Sequence, residues 1–171
     1  MKNELTQERL KELLHYDPDT GDFTWKYRYD MPKQWNTRYA NKKSGCIHCE
    51  GYIRIRINEK KYLAHRLAIL WMTGKFPKKQ VDHVDGIKDN NKWNNIREAT
   101  HSENQQNQKK AHKDNKSTGL LGVCFKKIDK KYYSRIYVNN KSKFLGYFKT
   151  AQEAHEAYLK AKRELHEFNT L

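Results

Sequence analysis

Residues 109–118, KKAHKDNKST, contain no large apolar side chain. A segment this polar cannot run through a hydrophobic core, so it cuts the chain in two. The total of 171 residues, with 36% hydrophobic and 32% charged content, leaves little material for one large core. Two or three small units sharing a basic surface are expected. The predicted fold class is α+β. A small N-terminal strand and helix region leads into a strand–loop–helix module. A three-stranded antiparallel sheet packed on one helix follows. The expected domains are 1–108, with its core motif at 81–108, and 119–171, joined by 109–118 as a flexible basic linker.

The charge is as uneven as the hydropathy. Residues 1–50 hold 9 Lys/Arg and 8 Asp/Glu, whereas residues 51–171 hold 26 and 12. A net charge of +15 concentrated this way calls for a polyanion partner. Nucleic acid is the first choice and an anionic membrane surface the second. No apolar run approaches the ~20 residues of a membrane span. MKNELTQERLKELL is too charged for a signal peptide. Cys46, Cys49 and Cys124 do not make a disulfide framework, so a reducing, cytoplasmic location is expected.

The periodicities change along the chain. Residues 5–15 read as a helix with Thr6 as N-cap, Leu5 and Leu10 as its staple, and Leu10, Leu13 and Leu14 as its stripe. DPDTG at 17–21 is a turn, and FTW at 23–25 a strand. Residues 26–50 show no clear period and read as loop with at most a strand. At 53–57 isoleucines alternate with Arg54 and Arg56, a half-buried strand with a basic outer face. Asn58-Glu59-Lys60 turns the chain, and Tyr62-Leu63 start the return. Residues 64–73 read as a helix ended by Gly74, with Leu67, Leu70 and Trp71 inward.

Thr100 and Glu103 form a capping box for a helix to about 110. Past the linker, GVCFKK, YYSRIYV and KFLGYF are three aromatic strands. Thr150 and Glu153 cap a last helix to about 167. Its apolar face is Ala154, Tyr158, Ala161, Leu165 and Phe168.

The chemistry concentrates in VDHVDGIKDNNKWNNIREATHSENQQN at 81–107. Phosphodiester cleavage needs a base for water and a cation for the phosphate and leaving oxygen. Asp82 supplies a hard oxygen ligand. His83, adjacent on extended backbone, points to the other side and can activate water near neutral pH. Asn104, in the first turn of the helix, offers an amide oxygen as a second ligand.

This window resembles the HNH endonucleases, whose pattern is an Asp-His, an Asn about a dozen residues on, and a final His or Asn on a helix. Here these are Asp82-His83, Asn95 and Asn104. The resemblance implies a ββα-metal module in which Asp82 and Asn104 bind one Mg²⁺ or Mn²⁺, zinc being disfavoured. His83 is then the general base, and Asn95 braces the loop that holds its ring. It also implies 5′-phosphate and 3′-hydroxyl products. Gly51-Tyr52, His65-Arg66 and Gly74 match upstream features of phage and intron-encoded members. Arg66 is a candidate phosphate contact. His65 is read as a packing residue, with a role at phosphate or metal as its alternative. Cys46-Ile-His-Cys49 has zinc-knuckle spacing but lacks a second ligand pair. His101 is read as a solvent-facing cap residue.

Residues 117–168 resemble the AP-two domain of plant ethylene-response factors, which also occurs fused to HNH nucleases in phages. Gly122-Val123, Tyr133-Ser-Arg-Ile136, Leu145-Gly-Tyr-Phe148 and the alanines of the last helix carry the likeness. It implies a sheet laid in the DNA major groove by Lys126, Arg135, Tyr137 and Lys143, with Phe144 a further candidate. Cys124 and Tyr137 stand where arginines are common in that family, and Tyr133 where tryptophan is usual. Lys109, Lys110, Lys113 and Lys116 are candidate phosphate contacts.

The expected partner is double-stranded DNA, and the chain is expected to act as a monomer or weak homodimer that nicks. A homing or mobile-element enzyme of phage origin fits this plan. The rival expectations are a DNA-binding regulator with a lapsed nuclease site and an RNA-binding protein.

Overall fold

The computed structural model describes residues 5–112, 114–139 and 141–170. The chain forms two compact units, Met1–Ala99 and Thr100–Leu171.

In the first unit, α1 (Gln7–Leu13) starts where Thr6 Oγ1 accepts the Arg9 N–H at 3.2 Å. It stops earlier than the leucine stripe predicts. Leu14–Tyr16 is strand β1, paired antiparallel with β2 (Phe23–Trp25). Leu14 and Tyr16 are buried and His15 between them is exposed, so a period of two wins over a helical one here. Asp17 closes the hairpin, accepting the Asp19 N–H on Oδ1 and the Gly21 N–H on its carbonyl.

Residues 26–50 hold a helix that the sequence reading missed, α2 (Lys33–Tyr39). It buries one side chain, Asn36, which accepts the Arg28 N–H and donates to the Arg28 carbonyl. Trp35 packs edge-on against Trp25. With one buried polar residue and one ring to hold it, α2 leaves no apolar period to read.

Strands β3 (Cys46–Ile47), β4 (Ile53–Ile57) and β5 (Lys60–Leu63) form an antiparallel sheet in that order. Asn58 and Glu59 both have positive φ, as a two-residue turn between right-twisted strands requires. Ile55 and Ile57 face the core, and Arg56 faces solvent. Helix α3 (Ala64–Thr73) ends at Gly74 in the left-handed region. It is buried on more than the expected face, since Ala64, His65, Ala68 and Ile69 join Leu67 and Leu70 inside. Strands β6 (Gln80–His83) and β7 (Ile96–Ala99) pair antiparallel, with a 3₁₀ turn at Trp93–Asn95 leading into β7. One core unites α1, β1, β2, β4, α3, β6 and β7.

The second unit opens with α4 (His101–Gln106), whose Thr100–Glu103 capping box is complete. Asn107 is buried and caps the helix, which therefore ends short of the expected 110. Strands β8 (Val123–Lys126), β9 (Lys131–Val138) and β10 (Lys141–Phe148) form an antiparallel sheet with β9 in the middle. Helix α5 (Ala151–Leu165) covers one face, burying Ala154, Tyr158 and Ala161 near Ile136. Gly122, at φ +74°, lies under the Tyr158 ring; a Cβ there would sit 2.0 Å from it.

The unit boundary differs from the predicted 109–118. Residues 100–118 belong with the C-terminal sheet because their polar groups bond there. Thr170 Oγ1 donates to Asn107, the Lys162 ammonium donates to the Gln108 carbonyl, and Asn115 donates to the Leu120 carbonyl. Lys162 is wholly buried, and burial with the nearby Lys109 charge pushes its ammonium pKa down to about 8. Among the described residues, no helix is long and apolar enough to cross a membrane.

Candidate active site and the open sheet face

Strand β6 presents Asp82 and His83 on adjacent positions, both buried. The β6–β7 register sets Arg97 opposite Asp82. The guanidinium donates to Asp82 Oδ2 from Nε at 3.0 Å and Nη2 at 2.9 Å. A charged partner of this kind holds a buried carboxylate in one orientation.

The loop between the strands is knotted by side-chain amides. Asn95 Oδ1 accepts the Asp85 N–H at 3.0 Å, and Asn95 Nδ2 donates to Asp85 Oδ1 at 3.0 Å and the Asn90 carbonyl at 2.7 Å. Asn95 therefore touches the loop rather than the His83 ring. Burial acts to raise the Asp85 carboxyl, but hydrogen bonds from the Ile87 N–H, Asn90 and Asn95 outweigh it and hold the pKa below the ordinary range.

His83 Nε2 lies 3.1 Å from Asn91 Oδ1, a contact between two buried groups. Burial lowers the His83 pKa, against the opposing pull of Asn91 and of Asp85, Asp82 and Asp89. An imidazole of lowered pKa is neutral at cellular pH and able to take a proton.

His65 packs edge-on against His83 with ring centres 5.1 Å apart, and against Tyr52 at 5.2 Å. Burial drives the His65 pKa down to about 3, helped by the His83 and Arg66 charges. Its ring is buried and packs on both neighbours.

Arg66, a candidate phosphate contact, donates to the Pro77 carbonyl at 2.9 Å and the Lys79 carbonyl at 3.4 Å. It ties down the segment entering β6, because α3 and that segment run close enough for the guanidinium to reach backbone. Arg54 and Arg56 lie on the outer face of β4, opposite Leu63 and Lys61.

Asn104 lies in the middle of α4, within the second unit. Its donor type matches that of Asp82: amide and carboxylate oxygens are hard ligands suited to Mg²⁺ or Mn²⁺. Among the described residues, no group of three or more His, Cys, Asp or Glu side chains is arranged to hold a metal ion. Hydrated Mg²⁺ needs no such cage, since it binds through one or two protein oxygens and takes the rest from water and phosphate. Cys46 and Cys49 are exposed.

The second unit has an open sheet face. Residues opposite each other in an antiparallel pair share a side. The register therefore puts Lys126, Tyr133, Arg135, Tyr137, Phe144 and Tyr147 together, away from α5. A bulge between Phe144 and Gly146 lets Phe144 and Tyr147, three positions apart, meet on that side at 5.1 Å. Lys126 stands over the Tyr147 ring and Arg135 over the Tyr137 ring. Lys143 pairs with Ile136 and so lies on the other side, contrary to expectation; strand alternation cannot turn both it and Phe144 outward.

Lys110 and Lys116 are exposed and Lys109 is half-buried. Lys113 lies outside the described residues.

Sequence pattern marks the 17–21 turn and the 23–25 strand but gives no role to Asn91 or Arg97. The contact of Asn91 with His83 depends on the fold of the loop.

Residues 62–106 match the family model described as HNH endonuclease. No curated protein matches the chain. A solved structure described as "DNA binding and cleavage by the HNH homing endonuclease I-HmuI" is 27% identical, with a TM-score of 0.40. The alignment covers 55% of this chain and 50% of that one, so the chain spans about half the length of this solved relative. The matched segment contains Asp82, His83, Asn95 and Asn104. Over residues 62–106, then, the chain is similar to HNH endonuclease domains.

Proposed function

We propose that the chain is a metal-dependent DNA endonuclease whose C-terminal sheet holds the DNA. The observation that carries this reading is His83, buried, neutral at cellular pH and bonded to Asn91 within the HNH match. His83 takes the proton of the attacking water. By the HNH resemblance, Asp82 and Asn104 would be the ligands of one Mg²⁺ or Mn²⁺. When bound, such an ion would supply positive charge for the phosphate and the leaving oxygen. Arg97 orients Asp82, and Asn95 stiffens the loop behind His83. The products carry 5′-phosphate and 3′-hydroxyl ends.

The AP-two likeness and the exposed rings and cations of β8–β10 support that face as the DNA reader, laid in the major groove of duplex DNA. One site per chain nicks one strand. A cutter joined to a reader suits a homing or mobile-element enzyme.

A second reading is DNA binding without cleavage, and the Arg97–Asp82 pair favours it. A guanidinium on the carboxylate competes with a cation for the same oxygen.

Supercoiled plasmid and single-stranded RNA, each with Mg²⁺, Mn²⁺ or chelator, separate the readings. The wild type is expected to nick plasmid with metal and not with chelator, and His83→Ala is expected not to. Intact plasmid under every metal, with retained binding, establishes the second reading.

A further inference from the structure

A neutral imidazole has one N–H and one lone pair, and only the nitrogen with the lone pair can accept a proton. The surroundings of His83 decide which nitrogen that is. Asn91 Nδ2 donates to the Asp89 carbonyl at 3.2 Å. This contact fixes the orientation of the amide, since a flipped Asn91 would set two acceptors against each other. Oδ1 is therefore the atom facing His83 Nε2 at 3.1 Å. An amide oxygen only accepts, so Nε2 carries the hydrogen and Nδ1 keeps the lone pair.

Asn91 is itself held from outside the HNH segment. It is 1% exposed. The Tyr16 hydroxyl donates to its carbonyl at 2.7 Å, and the Trp93 N–H donates to the Pro18 carbonyl at 2.9 Å. Gly21 packs directly on the Asn91–Lys92 peptide: a Cβ at Gly21 would lie 2.4 Å from Asn91 C and 2.5 Å from Lys92 N. Burial pushes the Tyr16 phenol pKa up, so its hydroxyl remains a donor at any working pH. The hairpin β1–β2 thus closes on the Asn91–Trp93 segment from three points. It lies well outside residues 62–106.

We propose that Asn91 is a positioning residue that holds His83 with its proton on Nε2 and Nδ1 as the base, and that the N-terminal β1–β2 hairpin is the brace that keeps Asn91 there. The proposal rests on the nuclease reading for its consequence. Its physical content, the tautomer of His83, is measurable without any cleavage.

The test is long-range ¹H–¹⁵N correlation on the full chain with labelled histidine, at pH 8, beside steady-state plasmid nicking. The wild type is expected to show His83 protonated on Nε2. Asn91→Asp keeps an acceptor and is expected to keep that tautomer. Asn91→Leu removes the acceptor; the ring is expected to become a tautomer mixture. Its kcat is expected to fall about 10- to 100-fold, the range for losing a group that orients a reactive ligand, with KM unchanged. Tyr16→Phe removes one hydroxyl and leaves the core packed, so it serves where Asn91→Leu does not fold. It is expected to shift the tautomer ratio and lower kcat in the same sense. A wild-type ring protonated on Nδ1 overturns the proposal, and so does a folded Asn91→Leu or Tyr16→Phe with the wild-type spectrum and rate. The expected tautomers in a protein that never nicks support the positioning role and overturn the nuclease reading instead.

Discussion

The loop around His83 buries its polar side chains, whereas the open face of β8–β10 leaves its rings and cations in solvent. Asn91, Asn95, Asp82 and His83 are each less than a tenth exposed, while Phe144, Tyr147 and Tyr137 are each more than half exposed. The buried groups are satisfied by hydrogen bonds from several directions, as burial requires. The exposed ones touch mainly one another. The contrast suits the two tasks proposed for these regions. A general base must be aimed to within a fraction of an ångström, and only a crowded site achieves that. A surface that meets a long polyanion must be open, and it gains from charge and stacking rather than from fixed geometry.

The largest effect expected from breaking this contrast is in catalysis. His83→Ala should lower the nicking rate by roughly 10²- to 10⁴-fold, with DNA affinity in chelator unchanged in a gel-shift titration. A matching loss of affinity would show that the two surfaces are not separate in function.

Stability comes next. Gly122→Ala places a methyl into the Tyr158 ring at a positive-φ position. A cost of about 3 kcal/mol to the C-terminal unit is expected in urea unfolding, with the His83 NMR signals of the first unit preserved.

Arg135→Ala should weaken duplex binding by roughly 1–3 kcal/mol, while kcat at saturating DNA stays at the wild-type value. Lys143→Ala, on the other side of the sheet, should change affinity far less. An equal loss from both would break the assignment of the open face.

The smallest effect is in pH dependence. Folded His65 stays neutral down to about pH 3, because it is buried. In the unfolded chain it takes a proton near pH 6.5. Below that value the unfolded state binds more protons, so stability falls with pH. The loss attributable to this one group is about 1 kcal/mol between pH 6.5 and 5.5. Urea midpoints at the two pH values should fall closer together in His65→Phe than in the wild type.

Much of the fold was legible in the chain. The alternation at 53–57, the Gly74 stop, both capping boxes and the three aromatic strands all rest on local periodicity or local hydrogen bonding. They hold because neighbours along the chain are also neighbours in space. The Asp82-His83 pair was legible for the same reason: adjacent residues on a strand stay adjacent. Helix α2 was not legible, because its one buried residue is polar. The strand at Leu14 was misread as helix because pairing with Trp25, eleven residues away, outweighs a leucine stripe. The side that Lys143 faces and the carbonyls that Arg66 reaches were not legible, because they depend on register and packing.

The sequence by itself determined the reactive residue types and the elements that carry them, since both follow from short-range pattern and intrinsic chemistry. Tertiary structure alone decided how those residues are held. Tyr16, Pro18 and Gly21 reach the His83 loop across some seventy residues of chain. No periodicity encodes such a contact; it forms because a shared core brings the hairpin and the loop together and leaves their polar groups only each other to bond.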